Sequence, residues 1–159
     1  MLTDDEDLAE LMQRAYRYAL SLTHEPEAAR DLVQDAAMSV SRRGGPWNIR
    51  FMTTVVRNRF IDLYRRARKV PFESLDDSVA APLEDESVEG PVDEGLMDLI
   101  LGSLKPSERE VLYLSAVEDY TTAEIAEMTG RPRGTVLSIL HRTKHKLRHR
   151  LSHETGLRN

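Results

Sequence analysis

Residues 121–150 read TTAEIAEMTGRPRGTVLSILHRTKHKLRHR, and the order of residue types in this stretch decides the architecture around it. Thr121-Thr122-Ala123-Glu124 has the pattern of a capping box. In such a box the Thr121 hydroxyl accepts from the Glu124 amide and the Glu124 carboxylate reaches back to the helix entrance. The helix it opens carries Ile125, Ala126 and Met128 and stops at Gly130. Pro132 then starts a second, longer helix with Val136, Leu140 and Leu147 facing inward. The offsets matter more than the composition. A small residue at 126 lets the second helix approach closely, Gly130 makes the turn, and Val136 seals the pair. That combination predicts a helix-turn-helix whose second helix enters the DNA major groove. Early residues of such a helix meet base edges and later ones meet phosphates. Arg131, Arg133, Thr135 and Ser138 are the expected early contacts, with Arg142, Lys144, Lys146, Arg148 and Arg150 behind them.

Working outward, the stretch before it continues as helix. Pro106 opens a segment with Val111, Leu112 and Leu114, and Leu96, Leu99, Ile100 and Leu104 form one short apolar stripe before that. A four-helix C-terminal unit over residues 93–159 is expected. The N-terminal end reads as three helices over residues 1–69. Leu8, Leu11, Ala15, Ala19 and Leu22 recur at spacings of three and four; Ala28, Leu32, Ala36 and Val40 make the second stripe after Pro26. Gly44-Gly45-Pro46 is a turn with Pro46 suited to a helix start. The third helix should bury Ile49, Met52, Thr53, Val56, Phe60 and Leu63 while its other side collects arginines. Between the two units, residues 70–92 hold Pro71, Pro82 and Pro91, many carboxylates and few apolar side chains. They predict an extended, self-repelling flexible linker. The fold class is therefore all-α, with two small helical domains joined by an acidic linker.

The net charge of −5 conceals a block pattern. Residues 41–70 carry nine basic and one acidic residue, residues 71–100 carry none and ten, and residues 131–159 carry eight and one. Two basic blocks split by an acidic one predict two polyanion-binding surfaces. The absence of cysteine excludes a disulfide scaffold and thiolate metal sites and fits a reducing cytoplasm. No apolar signal region or membrane-length run occurs, so a cytoplasmic protein without membrane insertion is expected. Nothing points to an enzyme: there is no cysteine nucleophile, no glycine-rich phosphate loop and no His-Glu-x-x-His pattern. His141, His145, His149 and His153 repeat at intervals of four, but with no carboxylate or cysteine among them they read as part of a basic face. No cofactor and no metal is expected.

Three segments, ARDLVQDA at 29–36, RNRFIDLYRRAR at 57–68 and LKPSEREVLYLSAVEDYTTAEIAEMTGRPRGTV at 104–136, resemble conserved regions two and four of the extracytoplasmic-function sigma factors of the sigma-70 family. The likeness spans nearly all of the chain outside the linker and termini, in the family's order. It implies a subunit that binds core RNA polymerase, recognises the minus-ten and minus-thirty-five elements of promoter DNA and helps open the duplex. On that resemblance Asp31, Gln34 and Asp35 lie on the surface that grips the polymerase. Asn58 and Asp62 handle the minus-ten element, with Arg57, Arg59, Arg65 and Arg66 along its backbone. Arg131, Arg133, Thr135, Ser138 and Arg142 serve the minus-thirty-five element. The acidic linker resembles the family's connector, which threads basic channels of the polymerase. A separate anti-sigma factor is the expected regulator, because a chain ending at Asn159 has no room for a C-terminal regulatory domain.

Departures from the pattern fall at particular positions. Phe51 stands where the family usually has Trp, and Leu137 and Ile139 stand where its recognition helix usually carries basic residues. Leu137 removes a DNA contact, while Ile139 is suited to packing. Two other readings stay open at this level. A helix-turn-helix regulator that never joins polymerase explains the C-terminal half but not DLVQDA or the arginine-rich third helix. A polymerase-binding adaptor that does not read promoters draws on Leu137 and Ile139.

Overall fold

The computed structural model describes the backbone of residues 5–68 and 94–156 and the side chains of residues 7–67 and 94–152. The acidic linker expected over 70–92 lies outside the described residues. Seven helices and no strand occur among those described, and the chain divides into two compact units, Met1–Asp76 and Asp77–Asn159.

In the first unit α1 (Asp5–Thr23), α2 (Pro26–Arg43) and α3 (Ile49–Arg68) each pack on the other two. The predicted stripe of α1 is buried at Leu11, Ala15, Ala19 and Leu22, together with Tyr18, whereas Leu8, near the start of the helix, is exposed. Helix α2 begins with Pro26 in its first turn, where a missing N–H costs nothing. It buries Ala29 and Val33 as well as Leu32, Ala36 and Val40, while Ala28 is only half-buried. Its apolar face is wider than one stripe because it packs on two neighbours. Gly44 closes α2 in the left-handed region, its amide and that of Gly45 donating to Ser41 and Val40.

Helix α3 does not start at Pro46. The Asn48 carboxamide oxygen accepts from the Phe51 amide at 2.8 Å, so Asn48 acts as the cap and Ile49 is the first helical residue. Met52, Val56, Phe60 and Tyr64 then fall four apart along one line. Tyr64 is buried with its ring 5.7 Å from that of Phe60, and Leu63, expected inside, is turned outward. A tyrosine at this position can cover the core with its ring body and keep its hydroxyl at the edge.

The second unit is built from α4 (Glu94–Ser103), α5 (Pro106–Ala116), α6 (Thr122–Thr129) and α7 (Arg133–Gly156). Ile100, Leu104, Val111, Leu114, Ile125, Val136, Ile139 and Leu140 form its core, and Leu99 lies outside it. Helix α6 has the predicted capping box: Glu124 N–H donates to Thr121 Oγ1 at 3.2 Å and Thr121 N–H donates to Glu124 Oε1 at 3.0 Å. Gly130 ends α6 at φ 67°, a conformation that strains any residue with a Cβ. Pro132 precedes α7, its carbonyl accepting from the Val136 amide.

The first turns of α5 hold three consecutive buried charged residues. Glu108 and Glu110 are wholly buried and Arg109 nearly so. Each has a specific partner. Glu108 accepts from the Lys105 amide at 2.9 Å and faces Lys146 Nζ of α7 at 2.8 Å, with Arg142 Nε 4.0 Å away. Glu110 takes a 2.7 Å charged hydrogen bond from Arg131 in the α6–α7 turn. Arg109 donates to the Leu101 and Leu104 carbonyls at the end of α4. Burial draws its guanidinium below the ordinary arginine range, an effect the adjacent Glu108 carboxylate opposes. Charge thus fastens α4, the helix-turn-helix turn and α7 to one helix.

Two stability tests follow from this arrangement. Glu110→Ala leaves the Arg131 guanidinium buried without its carboxylate and should lower the unfolding free energy of this unit by about 3–5 kcal/mol in urea titration, whereas Glu110→Leu with Arg131→Met together should recover most of it. Thr121→Ala should cost about 1 kcal/mol, read as a lowered denaturation midpoint with unchanged slope.

Candidate nucleic-acid and polymerase interfaces

Because α3 buries only one side, its opposite side is left for charge. Asn58, Arg59, Asp62, Arg65 and Arg66 are exposed and Arg57 is half-buried. Where α3 lies against α2, five of these six residues border an open cleft of about 780 Å³. Arg66 stays off it, paired with Asp62 at 3.1 Å one turn earlier. Two further arginines enter the cleft from the last turn of α2, Arg42 and Arg43. Reading α3 alone misses them; their only trace in the sequence is that they open the basic block 41–70. The Arg59–Asp35 pair spans the cleft at 3.4 Å with both side chains about half exposed. Pairs this exposed contribute about 0–1 kcal/mol, so such guanidiniums exchange readily onto a phosphate. Tyr64, on the same helix, belongs to the core.

The α2 trio Asp31, Gln34 and Asp35 is exposed, as a face opposite Leu32 and Ala36 must be. Asp35 borders the basic α2–α3 cleft, while Gln34 borders a shallow groove of about 400 Å³ against α1, with Met12, Gln13 and Tyr16.

On the helix-turn-helix the five expected DNA contacts separate into two kinds. Arg133 and Ser138 are exposed and Thr135 is half-buried; Arg133 Nε donates to Thr122 Oγ1 at 3.3 Å and the Ser138 hydroxyl donates to the Gly134 carbonyl. Arg131 and Arg142 face inward. The Arg131 side chain is 2% exposed and holds Glu110, and that of Arg142 is 11% exposed beside Glu108. Both cations are turned toward the buried carboxylates of α5. Lys146 likewise turns to Glu108. Ile139 is buried in the core and Leu137 is exposed. His141, His145 and His149 are exposed, the last two with rings stacked 6.4 Å apart; the side chain of His153 lies outside the described residues. Among the described residues no group of three or more histidine or acidic side chains is arranged to hold a metal ion, and no helix is long and apolar enough to cross a membrane.

Residues 100–149 match the family "Sigma-70, region 4". The RNA polymerase sigma-E factor of Streptomyces avermitilis is 35% identical over 142 residues, covering 85% of this chain and 77% of that one. The ECF RNA polymerase sigma factor SigL of Mycobacterium tuberculosis is 30% identical over 145 residues, covering 84% and 80%. In fold, the chain is similar to the sigma factor RpoE of Bartonella quintana, solved in complex with the anti-sigma factor NepR, with a TM-score of 0.69 at 23% identity over 92% of this chain and 95% of that one. The matches run through both units, which a regulator sharing only the helix-turn-helix does not explain. With relatives this similar over most of its length, the chain belongs to the extracytoplasmic-function sigma factors of the sigma-70 family, alternative sigma subunits of bacterial RNA polymerase that direct promoter recognition and transcription initiation.

Proposed function

We propose that this sigma factor divides its work as follows: residues 1–69 bind core polymerase and the minus-ten element, 70–92 form the acidic linker, and 93–159 bind the minus-thirty-five element. The observation that carries the reading is the α2–α3 cleft, where Arg42, Arg43, Arg57, Arg59 and Arg65 surround Asn58. Opening a duplex requires a strand whose phosphates are neutralised while an unstacked base is held by polar contacts. This cleft supplies cations along its walls and a neutral donor and acceptor between them. Asp35 and Asp62, on the same walls, hold Arg59 and Arg66 in place until a phosphate replaces them.

The polymerase contact is assigned to Asp31 and Gln34, with Asp35 shared between that contact and the cleft. In the C-terminal unit the promoter contacts reduce to Arg133, Thr135 and Ser138, all in the first two turns of α7. Arg131 and Arg142 hold the motif in shape. The protein acts in the cytoplasm with no catalytic chemistry of its own. A separate anti-sigma factor controls its access to polymerase, as the NepR complex of the Bartonella RpoE supports.

Full chain added to bacterial core polymerase with a promoter library should yield discrete start sites. Core binding without starts, or DNA binding without core affinity, overturns the reading. In that holoenzyme Arg133→Ala should reduce the slope of log affinity against log salt by about 0.9, the loss of one phosphate contact. Asp31→Ala with Gln34→Ala should weaken core association about tenfold in a fluorescence titration, leaving the far-ultraviolet dichroism of the chain unchanged.

A further inference from the structure

Along α7 the residues Gly134, Leu137, Ser138 and His141 are all exposed. Their spacing of three, four and seven puts them on one face, with Val136, Ile139, Leu140 and Thr143 buried on the other. This outward stripe begins in the first turn of the helix and carries no cation. Two of its members have no explanation inside the folded chain. Leu137 keeps 37% of its surface in solvent, although it is flanked by core residues that do pack. Gly134 sits in regular helix, and a Cβ added there would meet nothing within 4 Å. Neither positive φ nor internal crowding requires glycine here. A bare first turn does allow an outside surface to come close to the α7 backbone. Leu137 stands one turn further on, about 4.5 Å along the axis.

We propose that Leu137 is a specificity-determining residue that packs on the C5-methyl group of a thymine in the upstream promoter element. The inference rests on the assignment of α7 as the promoter-reading helix. The chemistry of the major groove narrows the partner. Guanine presents two acceptors that favour arginine or lysine, cytosine an amino donor, adenine a donor and an acceptor, and thymine alone an apolar methyl. A leucine has no hydrogen bond to offer any of the polar edges, and burying them against it would leave them unsatisfied. Gly134 supplies the clearance for that approach, while Ser138, whose hydroxyl donates to the Gly134 carbonyl, keeps acceptor capacity toward a neighbouring base.

The test uses holoenzyme assembled from the full chain and core polymerase. Duplex promoters are selected from a library randomised through the upstream element, and each enriched thymine is then replaced by deoxyuridine, which differs only in lacking the methyl. At one position the replacement should weaken binding about fourfold, as for one buried methyl group. Leu137→Ala should erase the difference between thymine and deoxyuridine at that position, and Leu137→Arg should move the preference there to guanine. An enriched element in which deoxyuridine is neutral at every thymine of both strands overturns the Leu137 inference alone. So does an unchanged preference in Leu137→Arg. A library that yields start sites with no enriched upstream element overturns the assignment of α7 and the inference together.

Discussion

Glu108 and Glu110 are carboxylates without solvent on a single helix, and the C-terminal unit is arranged around their need for positive charge. Moving a carboxylate out of water costs several kcal/mol unless a cation and further hydrogen bonds accompany it. Residues two apart on a helix point some 200° from one another, so the two groups cannot share one partner. Glu110 takes Arg131 from the α6–α7 turn and Glu108 takes Lys146 from the middle of α7, with Arg142 beside it. A helix held at its entrance and two turns or more later has little freedom to swing. Apolar packing of Val136, Ile139 and Leu140 brings α7 against the core, but burial area alone is non-directional. The buried ion pairs select one register.

That requirement divides the basic residues of the second block. Arg131, Arg142 and Lys146 are drawn to the protein's own carboxylates, leaving Arg133, Lys144, Arg148 and Arg150 on surfaces that meet solvent to different degrees. The exposed stripe of Gly134, Leu137, Ser138 and His141 on α7 is consequently low in charge. Such a surface suits discrimination by shape and apolar contact more than by bidentate hydrogen bonding.

In that unit the same division runs the other way. Among the described residues its core is apolar apart from Thr53 and the hydroxyls of Tyr18 and Tyr64, and alanines at positions 15, 19, 29 and 36 let its helices approach closely. The arginines of α3 and of the end of α2 stay at the surface, with Asp35 and Asp62 as exposed, easily exchanged partners. One unit uses its charges to define a shape. The other keeps them at its surface.

Read by itself, the sequence determined the all-α class, the two basic blocks, the starts of α2, α5, α6 and α7 to within a residue, and the capping box and glycine turn of the helix-turn-helix. These follow from local chemistry: periodicity, proline in a first turn, a threonine and a glutamate three apart, a glycine at positive φ. It misplaced Leu63, Leu99 and the entrance of α3, where the choice lay between adjacent helix faces or between two capping residues. Only the tertiary structure decided which cations are ligand-facing and which are structural. Arg131 and Arg133 are two residues apart with the same side chain, yet one is buried on Glu110 and the other meets solvent. Their difference is set by a carboxylate 21 residues earlier in the chain, and no local pattern encodes which of two like charges a distant, dehydrated partner will take.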